Sequence, residues 1–447
     1  MLLYSVFWLL YSPGMAQIRP FRGVRYSRRR GNDISNLIAP PYDVLNEQDR
    51  SRLQAKDPHN VVTVDLPHVP PKSAGPDEAY DKANINLQAW LHSGVLERDG
   101  RPALYPYTQS YEHNGRMFHR RGFIALVKLS PFGEGQVVPH EKTYAGAIED
   151  RMKLMRATRM QLSPIFGLFS DQSNQVTGML YENLGKPELT ATLDGVRNDL
   201  WSVIDAELEN QVIDWMKHKP VYIADGHHRY TTALQYQKEI AQQQGGSLPP
   251  AHPANYCMFV LVGMQDDGLL ILPTHRLIGG LPNFDIETFK AKVGDTFDIS
   301  EMTTPAELLP DAAESLNHAP PNTFALYEGK TRRLYQLKLK NPDVLRALEP
   351  KQSDAWRHLD VAILQRYLLD EVLQPHFARG ELTKGYTSDP YTITKQVDGK
   401  QYQVALILRS TPLHALEELG RHGEVMPQKS TYFYPKLATG MVLHPLA

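Results

Sequence analysis

The order of the predicted strands and helices constrains the fold of this chain more than any other feature. Apolar segments at 103–112 and 116–129 flank His113-Asn114-Gly115, and an Asn-Gly pair between two such segments is typical of a tight β-hairpin. Helical spacing, as at 77–91, falls between such segments without a regular strand–helix–strand alternation. The sequence therefore predicts an α+β fold of mixed, mainly antiparallel sheets with packed helices.

The remaining segments are assigned by the same periodicity and turn signals. Three further hairpins are predicted, at 256–278 around Asp266-Asp267-Gly268, at 323–339 around Gly329 and at 391–408 around Asp398-Gly399. Single strands are predicted at 61–66, 162–169 and 221–224. The predicted helices are 45–55 with Asn46 as its cap, 145–160, 211–217, 230–244 and 360–373.

The length of 447 residues exceeds what one ordinary hydrophobic core accommodates, so we expect two packed units. The Gly- and Pro-rich stretch 245–253 and Pro220 favour a soft boundary between an N-terminal region, 15–210, and a C-terminal region, 211–447. A cleft shared by both regions is expected. Hydrophobic residues make up 42% and charged residues 22%, which excludes wholesale disorder and a fibrous repeat.

The charge balance and the cysteine count narrow the class of protein further. Lys and Arg number 48 against 50 Asp and Glu, so no global positive field attracts a polyanion, which argues against nucleic acid as a partner. The short basic run Arg28–Arg30 is the local exception. Cys257 is the single cysteine, which excludes an intramolecular disulfide and a cysteine-cluster zinc site. These features predict a cytoplasmic protein.

The first residues read MLLYSVFWLL and precede a more ordinary start at Met15. The apolar run is too short to span a bilayer and lacks the positive segment of a signal peptide. We therefore expect residues 1–14 to be an upstream-start artefact or a disordered tail, with a weak membrane anchor as the alternative.

The segment Asp225-Gly226-His227-His228-Arg229 is the strongest candidate for a functional site. It joins the predicted strand 221–224 to the predicted helix 230–244, and a glycine permits the sharp turn between them. The start of a helix offers backbone N–H groups and a positive dipole end, which together bind phosphate or carboxylate. Arginine suits bidentate contact with phosphate, and histidine adds charge or acid–base function. The alternative is structural, with Asp225 as a helix cap.

Three further polar clusters follow apolar segments and are secondary candidates. A histidine, a carboxylate and a lysine in one turn can bind a metal, a phosphate or a proton, whereas an exposed loop is the plain alternative. The clusters are Pro139-His140-Glu141-Lys142-Thr143, Thr274-His275-Arg276, and the C-terminal segment 426–436 with Lys429, Ser430 and Thr431.

Several enzyme classes lack their motifs in this sequence. There is no GxxxxGK[ST] phosphate loop and no GxGxxG dinucleotide fingerprint. A GxSxG elbow, an HExxH zinc motif and the protein-kinase motif set are absent as well.

Six segments in order resemble the bacterial and archaeal domain-of-unknown-function family 1015, and the resemblance runs from about Ile18 to near the C-terminus. They are IAPPYDV (38–44), VPHEKT (138–143), SPIFGLF (163–169), ADGHHRYTTAL (224–234), LPTHR (272–276) and MPQKSTYFYPKLATG (426–440). The family name itself implies no activity.

The turn from Gly226 to Arg229 also resembles the phosphate-binding GxxR box of the ParB/sulfiredoxin-like superfamily, which includes an archaeal free serine kinase. This local resemblance implies a small-molecule phosphotransferase acting on serine, or on phosphoserine in the reverse direction. ATP, ADP or pyrophosphate would be the phosphate donor with Mg²⁺, and Asp225, Gly226, His227, His228 and Arg229 would hold it.

The other candidate residues receive roles in that hypothesis. Glu141 or Asp43 would accept the hydroxyl proton, with His228 as a further catalytic candidate. Lys142 or Lys429 would neutralise developing charge. The remaining candidates are Ser430 and Thr431 for the phosphate and His140, Lys142, His275 and Arg276 for the substrate.

Two alternatives from other classes remain open at this point. One is a non-catalytic nucleotide-binding regulator, or a ParB-like nucleic-acid partner that uses the basic run Arg28–Arg30. The other is a metal-dependent phosphoester hydrolase that uses His140, His227, His228 or His275.

Overall fold

The computed structural model describes residues 17–143, 145–303 and 309–446, so the predicted tail at 1–14 lies outside the described residues. The chain divides into two compact units. The first extends to Leu269 and includes the C-terminal segment from Pro435, and the second comprises Leu270–Tyr434.

The elements of both units are numbered in chain order. The strands are β1 (Ile18–Arg19), β2 (Val24–Tyr26), β3 (Leu96–Arg98), β4 (Tyr105–His113), β5 (Arg116–Lys128), β6 (Val137–Val138), β7 (Met160–Gln161), β8 (Ile165–Phe169), β9 (Leu189–Leu193), β10 (Val196–Leu200), β11 (Val221–Asp225), β12 (Tyr256–Gly263), β13 (Leu270–Leu272), β14 (His275–Gly279), β15 (Phe297–Glu301), β16 (Thr323–Glu328), β17 (Arg333–Leu339), β18 (Thr383–Thr387), β19 (Val404–Ile407), β20 (Tyr432–Tyr434) and β21 (His444–Pro445).

Helices alternate with these strands irregularly. The α-helices are α1 (Glu47–Lys56), α2 (Val62–Asp65), α3 (Asp77–His92), α4 (Ala145–Thr158), α5 (Gln175–Tyr181), α6 (Ala206–Met216), α7 (His227–Gln243), α8 (Ile286–Val293), α9 (Leu309–Asn317), α10 (Asp354–Arg357), α11 (Asp360–Ile363), α12 (Gln374–Phe377), α13 (Pro390–Asp398) and α14 (His414–His422). A π-helical segment, Leu364–Leu373, connects α11 to α12.

The first unit is built on a nine-stranded sheet in the order β6-β11-β8-β12-β5-β4-β10-β9, with β1 paired to β5. Most neighbours are antiparallel, while β8 runs parallel to β12 and β6 parallel to β11. The β4–β5 hairpin is the one predicted at His113-Asn114-Gly115, and both turn residues adopt a positive φ, 49° at Asn114 and 71° at Gly115. The predicted α+β class with mainly antiparallel sheets is therefore confirmed.

The core of the first unit sits where the central strands meet α7. Val221 and Ile223 of β11 and Phe259 and Leu261 of β12 are fully buried, and Tyr230 of α7 packs into the same cluster. The members of this cluster occupy alternate positions along both strands, so one side of the sheet packs against α7.

The second unit has a six-stranded antiparallel sheet in the order β15-β17-β16-β19-β14-β18. Its β16–β17 pair is the hairpin predicted at 323–339. A separate two-stranded ribbon, β13–β20, joins the first and last strands of this unit.

The division into units differs from the expected boundary at 210/211. β11 and β12 complete the same sheet as β4, β5 and β8, so the DGHHR segment belongs to the first unit. The predicted pairing across 256–278 is wrong for the same reason, because β12 pairs with β5 and β8 instead.

Two other predicted strands are helical. The predicted strand 61–66 is instead occupied by α2 (Val62–Asp65), where the Asn60 side chain accepts from the Val62 N–H and donates to the carbonyls of Asn36 and Ile38. The predicted hairpin at 391–408 is α13 followed by β19. Asp389 caps α13, and Pro390 occupies its first turn.

Among the described residues, none of the helices combines the length and the apolar character that crossing a membrane requires.

Candidate functional site

The DGHHR segment forms a strand–turn–helix unit, as predicted. β11 ends at Asp225 with a register shift against β8 between Ile223 and Asp225. Gly226 then takes φ +98° and ψ 25°, a left-handed conformation that side chains rarely adopt, and α7 begins at His227. Gly226, at the N-cap position, has no side chain that could accept a hydrogen bond from the first turn of α7.

Arg229 lies folded back over the turn. Its Nη2 lies 3.0 Å from Asp225 Oδ2, and its Nη1 donates to the carbonyl of Pro164. Burial alone lowers the pKa of Arg229, but Asp225, Asp43, Tyr42 and Asp65 together raise it above the usual value. The guanidinium is therefore permanently charged, and its contacts with Asp225 and Pro164 stabilise the turn.

Lys436 completes the ionic group at the turn, and the sequence prediction missed it. Its Nζ lies 3.3 Å from Asp225 Oδ1. Burial alone would raise the pKa of Asp225, but Lys436 and Arg229 hold it well below the usual range. Asp225 is therefore ionised, and it links two cations.

The sheet positions the segment that carries Lys436. Gln109 Nε2 donates to the Lys436 carbonyl at 3.1 Å, and Arg120 Nη2 donates to the Pro435 carbonyl at 2.6 Å. Burial lowers the pKa of Arg120 to about 10. The sequence signal that points to Lys436 is its place in the segment 426–440, where the Lys-Ser-Thr pattern favours Lys429 instead.

His140 and His227 form a buried edge-to-face pair with ring centroids 4.6 Å apart. His140 Nδ1 donates to the Ile223 carbonyl at 2.6 Å, and the His140 backbone N–H donates to His227 Nε2 at 3.1 Å. Burial lowers the pKa of His140, and burial together with His140 lowers that of His227 well below its usual value. Both rings are therefore neutral and connect the loop at 139–143 to the turn.

Asp43 comes close to this group through the turn at 42–44. Pro40 and Pro41 precede the 3-10 turn Tyr42–Val44, in which Tyr42 is buried and Asp43 keeps a quarter of its side chain exposed. Asp43 Oδ2 lies 3.5 Å from Lys72 Nζ. Since its carboxylate raises the pKa of Arg229, Asp43 lies within electrostatic reach of the DGHHR turn.

The Tyr42 ring rests on a buried charge network. The Arg151 guanidinium carbon lies 3.8 Å from the ring centroid. Arg151 Nε donates to Asp150 Oδ2 at 2.8 Å and Nη1 donates to the Asp65 carbonyl at 2.7 Å. Tyr80 donates to Asp150 Oδ1 at 2.6 Å. The network therefore fixes the position of Tyr42, next to Asp43.

A small cavity of about 30 Å³ lies at the base of this network. Asp65, Arg151, Ser163, Arg229 and Cys257 contribute to its lining. A space of this size accommodates ordered water, not a nucleotide. A nucleotide phosphate would therefore have to approach the turn from its exposed side.

The first unit brings together Asp43, His140, Asp225, Gly226, His227 and Arg229, with His228 in the first turn of α7. Glu141 and Lys142 directly follow His140 and are half-buried and exposed, respectively. Their proposed roles stay predictions.

The other predicted residues belong to the second unit. His275 and Arg276 are fully buried on β14, and Arg276 Nη2 donates to the Gln428 carbonyl at 3.2 Å. Ser430 donates to the Pro427 carbonyl, and its own carbonyl accepts from Thr411 at 2.7 Å. Lys429 is exposed at φ +58°, and Thr431 is half-buried. These contacts shape the loop at 426–431, and a role for it in substrate binding stays a prediction.

This geometry gives little support to the metal-dependent hydrolase or to a nucleic-acid partner bound at Arg28–Arg30. Within the described parts of the chain, the one group that brings three possible metal ligands together is Asp343, Asp354 and His358, which contains none of the four histidines considered for a hydrolase. In the basic run, Arg28 Nη1 lies 3.6 Å from Glu188 and Arg29 Nε lies 3.5 Å from Glu97.

The fold and the site thus define an α+β protein with a strand–turn–helix unit at the DGHHR segment. The chain belongs to the family described as a protein of unknown function, DUF1015, whose model matches residues 18–362. The segment 426–440 lies beyond that match. No curated protein matches the chain.

Solved structures with some similarity include a free serine kinase in complex with AMP, at 13% identity over 67% of this chain and 83% of that one, with a TM-score of 0.33. SbnI with a C-terminal truncation, from Staphylococcus aureus, is 12% identical over 72% of this chain and 87% of that one, with a TM-score of 0.35. A conserved hypothetical protein from Pyrococcus furiosus is 14% identical over 68% of this chain and 89% of that one, with a TM-score of 0.32. TM-scores of this size lie below the level that indicates a shared fold, so they carry no conclusion about this chain.

Proposed function

We propose that this protein is a small-molecule phosphotransferase that holds the phosphates of a nucleotide, or pyrophosphate, at the turn Gly226–Arg229. The observation that carries the proposal is the start of α7. Its N-cap residue, Gly226 at φ +98°, has no capping side chain and no Cβ above the backbone. A helix start of this form binds phosphate through backbone N–H groups and the helix dipole.

The cations near the turn support the same interpretation. Lys436 pairs with Asp225 at 3.3 Å and keeps 17% of its side chain exposed, so its charge lies close to the turn. It is a better candidate than Lys429 or Lys142 for neutralising charge on a transferred phosphoryl group, because it lies beside the DGHHR turn. Arg229 contributes by fixing the turn, since its donors already bind Asp225 and Pro164.

The acceptor is a hydroxyl group, with serine as the first candidate and the phosphoserine reaction as the reverse. Asp43 would accept the hydroxyl proton, because its carboxylate is partly exposed and lies within electrostatic reach of Arg229. Glu141 and His228 are the alternative bases. Mg²⁺ would neutralise the donor phosphates. Mg²⁺ bound to the phosphates keeps several waters and usually needs only one or two protein carboxylates.

A donor-by-acceptor screen followed by phosphorus NMR tests the proposal. The protein with Mg²⁺ receives ATP, ADP or pyrophosphate with L-serine, and phosphoserine with AMP, ADP or phosphate. We expect one pairing to show phosphoryl transfer, and Asp43→Asn to reduce the rate by about 100-fold or more. Glu47→Gln is the matched control, because this carboxylate lies on α1 with 66% of its side chain exposed. No transfer in any pairing would refute serine and phosphoserine as the substrates and would favour a different acceptor or a binding-only role.

A nucleotide-binding regulator without turnover is the second candidate, and one observation favours it. Arg229, His140 and His227 are engaged with Asp225, Pro164, Ile223 and one another, so they hold the turn in place. Calorimetry with ATP, ADP and AMP separates the two. Binding without phosphoryl transfer would support the regulator, and transfer would exclude it.

A further inference from the structure

The second unit contains a pocket of about 460 Å³, lined by both apolar and charged side chains, that the proposed reaction does not use. One wall consists of Asp354, His358 and Asp360, at the start of α10 and around the start of α11. Most of the remaining lining residues lie between Arg409 and Leu419, a segment that includes the start of α14. The volume falls in the range of small-molecule sites.

Arg409 is the one permanently charged cation in the lining, and it is held rigidly. Its Nε donates to Asp360 Oδ2 at 2.9 Å and its Nη1 donates to the Ala319 carbonyl at 3.2 Å. Only 18% of the side chain is exposed. Among the described residues, none accepts a hydrogen bond from Nη2. A fixed guanidinium with a spare donor suits a carboxylate or a phosphate.

Asp360 does not compete with such a ligand. Its Oδ1 accepts from the backbone N–H of Asn322 at 2.8 Å and from Asn322 Nδ2 at 2.9 Å, while Oδ2 accepts from Arg409. Three donors therefore satisfy the carboxylate, and its effect is to orient Arg409.

The lining adds weaker positive character beside Arg409. Pro412, His414 and Ala415 belong to it, so the first turn of α14 forms part of the wall. Leu413 at the cap position provides no side-chain acceptor. The positive end of a nine-residue helix and an exposed imidazole thus line the same pocket as the guanidinium.

The acidic groups define the other end of the ligand. Glu418 is exposed in the lining and has no ion-pair partner among the described residues, whereas Asp354 is paired with Arg357. A polyphosphate would be repelled by Glu418, while an ammonium or hydroxyl group would be attracted.

We propose that this pocket binds a small metabolite with a carboxylate or phosphate at one end and an ammonium group at the other. Arg409 would bind the anionic end, and Glu418 the ammonium end. The proposal does not depend on the phosphotransferase activity, because all of the lining belongs to the second unit.

The test is calorimetry and saturation-transfer NMR on the full chain with four probes, of which only inorganic phosphate also takes part in the proposed reaction. 4-Aminobutyrate and phosphoethanolamine carry both end groups, and acetate and inorganic phosphate carry the anion alone. We expect a two-headed probe to bind more tightly than its single-headed counterpart. The better of the two pairs identifies the anion as carboxylate or phosphate.

Variants assign the ends of the ligand. Arg409→Lys keeps the charge beside Asp360 but loses the planar fork, and it should weaken the two-headed probe about 10-fold. Glu418→Gln should weaken the two-headed probe and leave the single-headed one unchanged. Glu418 is exposed, so this readout remains if Arg409→Lys fails to fold. Arg421→Lys, near the far end of α14, is the control and should change neither.

Two results would overturn the proposal. One is the absence of binding of all four probes to the wild-type protein. The other is binding that Arg409→Lys and Glu418→Gln leave unchanged, which would place the probes elsewhere on the chain.

Discussion

The glycine at the DGHHR turn offers the sharpest test of the proposed site. Replacing Gly226 by alanine puts a Cβ on a residue at φ +98°, which costs about 1 kcal/mol in a left-handed conformation. The same Cβ would lie 3.1 Å from Cζ, Nε and Nη2 of Arg229. The guanidinium must then shift against its contacts with Asp225 and Pro164.

The second effect can be estimated from what Arg229 would lose. A hydrogen bond to a charged group contributes about 1.5–3 kcal/mol, and part of one such contact is at stake. We therefore expect Gly226→Ala to lower the free energy of unfolding by about 2–4 kcal/mol in total. Gly245→Ala is the matched control, because Gly245 follows the same helix at φ +91° and a Cβ added there would meet nothing within 4 Å. Only the strain of about 1 kcal/mol applies there.

Urea unfolding followed by tryptophan fluorescence measures both variants. A Trp356→Phe background removes the second-unit signal, since the tryptophans at 90, 201 and 215 lie in the first unit. Equal losses for the two glycine variants would refute the argument that Arg229 packs against Gly226. Nucleotide titration of the same proteins should show weaker binding for Gly226→Ala alone.

Three further predictions concern buried charge. Arg151→Met leaves the buried carboxylates of Asp65 and Asp150 without their cation and should lower the free energy of unfolding in urea by about 3–5 kcal/mol. The control Arg156→Met, on the same helix but exposed beside Glu239, should lower it by about 1 kcal/mol or less. Similar losses for the two variants would contradict the buried charge network. The pKa of Asp225 is lowered on folding, so the ionised carboxylate stabilises the folded protein fully above the unfolded pKa of about 4, and this stabilisation is lost as the pH falls below that value. Asp225→Asn should therefore flatten the loss of stability below pH ~4. An unchanged pH profile would argue against the ion pairs of Asp225. Burial, with Arg276, lowers the pKa of His275 to about 3. The free energy of unfolding of the second unit should therefore fall by about 1.4 kcal/mol per pH unit as the pH falls from ~6.5 towards that value. Hydrogen exchange of β14 should show this slope in the wild type and not in His275→Gln.

Much of the candidate site can be predicted from local sequence because its structure is local. The apolar run before Asp225, the glycine and the helical spacing after it specify a strand, a turn and a helix within about twenty residues. Asn46 and Asp49 form the capping box of α1 by the same local logic. The α+β class follows from the sum of such elements.

Other predictions are wrong because local signals compete with one another or with distant contacts. The β-branched run at 61–66 becomes α2 because Asn60 binds Val62 and two distant carbonyls. The helix α13 carries its signals in Asp389 and Pro390, whereas the Asp398-Gly399 pair favours a hairpin. The helix-start signals of α13 are therefore present in the sequence, but the Asp398-Gly399 pair is the more prominent signal and favours a hairpin.

By itself, the sequence determined the strand–turn–helix unit at the DGHHR segment, because the backbone conformation of Gly226 and the start of α7 depend on neighbouring residues. Only the tertiary structure decided which lysine belongs to it. Lys436 and Asp225 are 211 positions apart, and the contact exists because Gln109 and Arg120 in the sheet hold the C-terminal segment. The folded chain likewise decided that Arg229 braces the turn and that both histidines are neutral, since burial and distant partners set those properties.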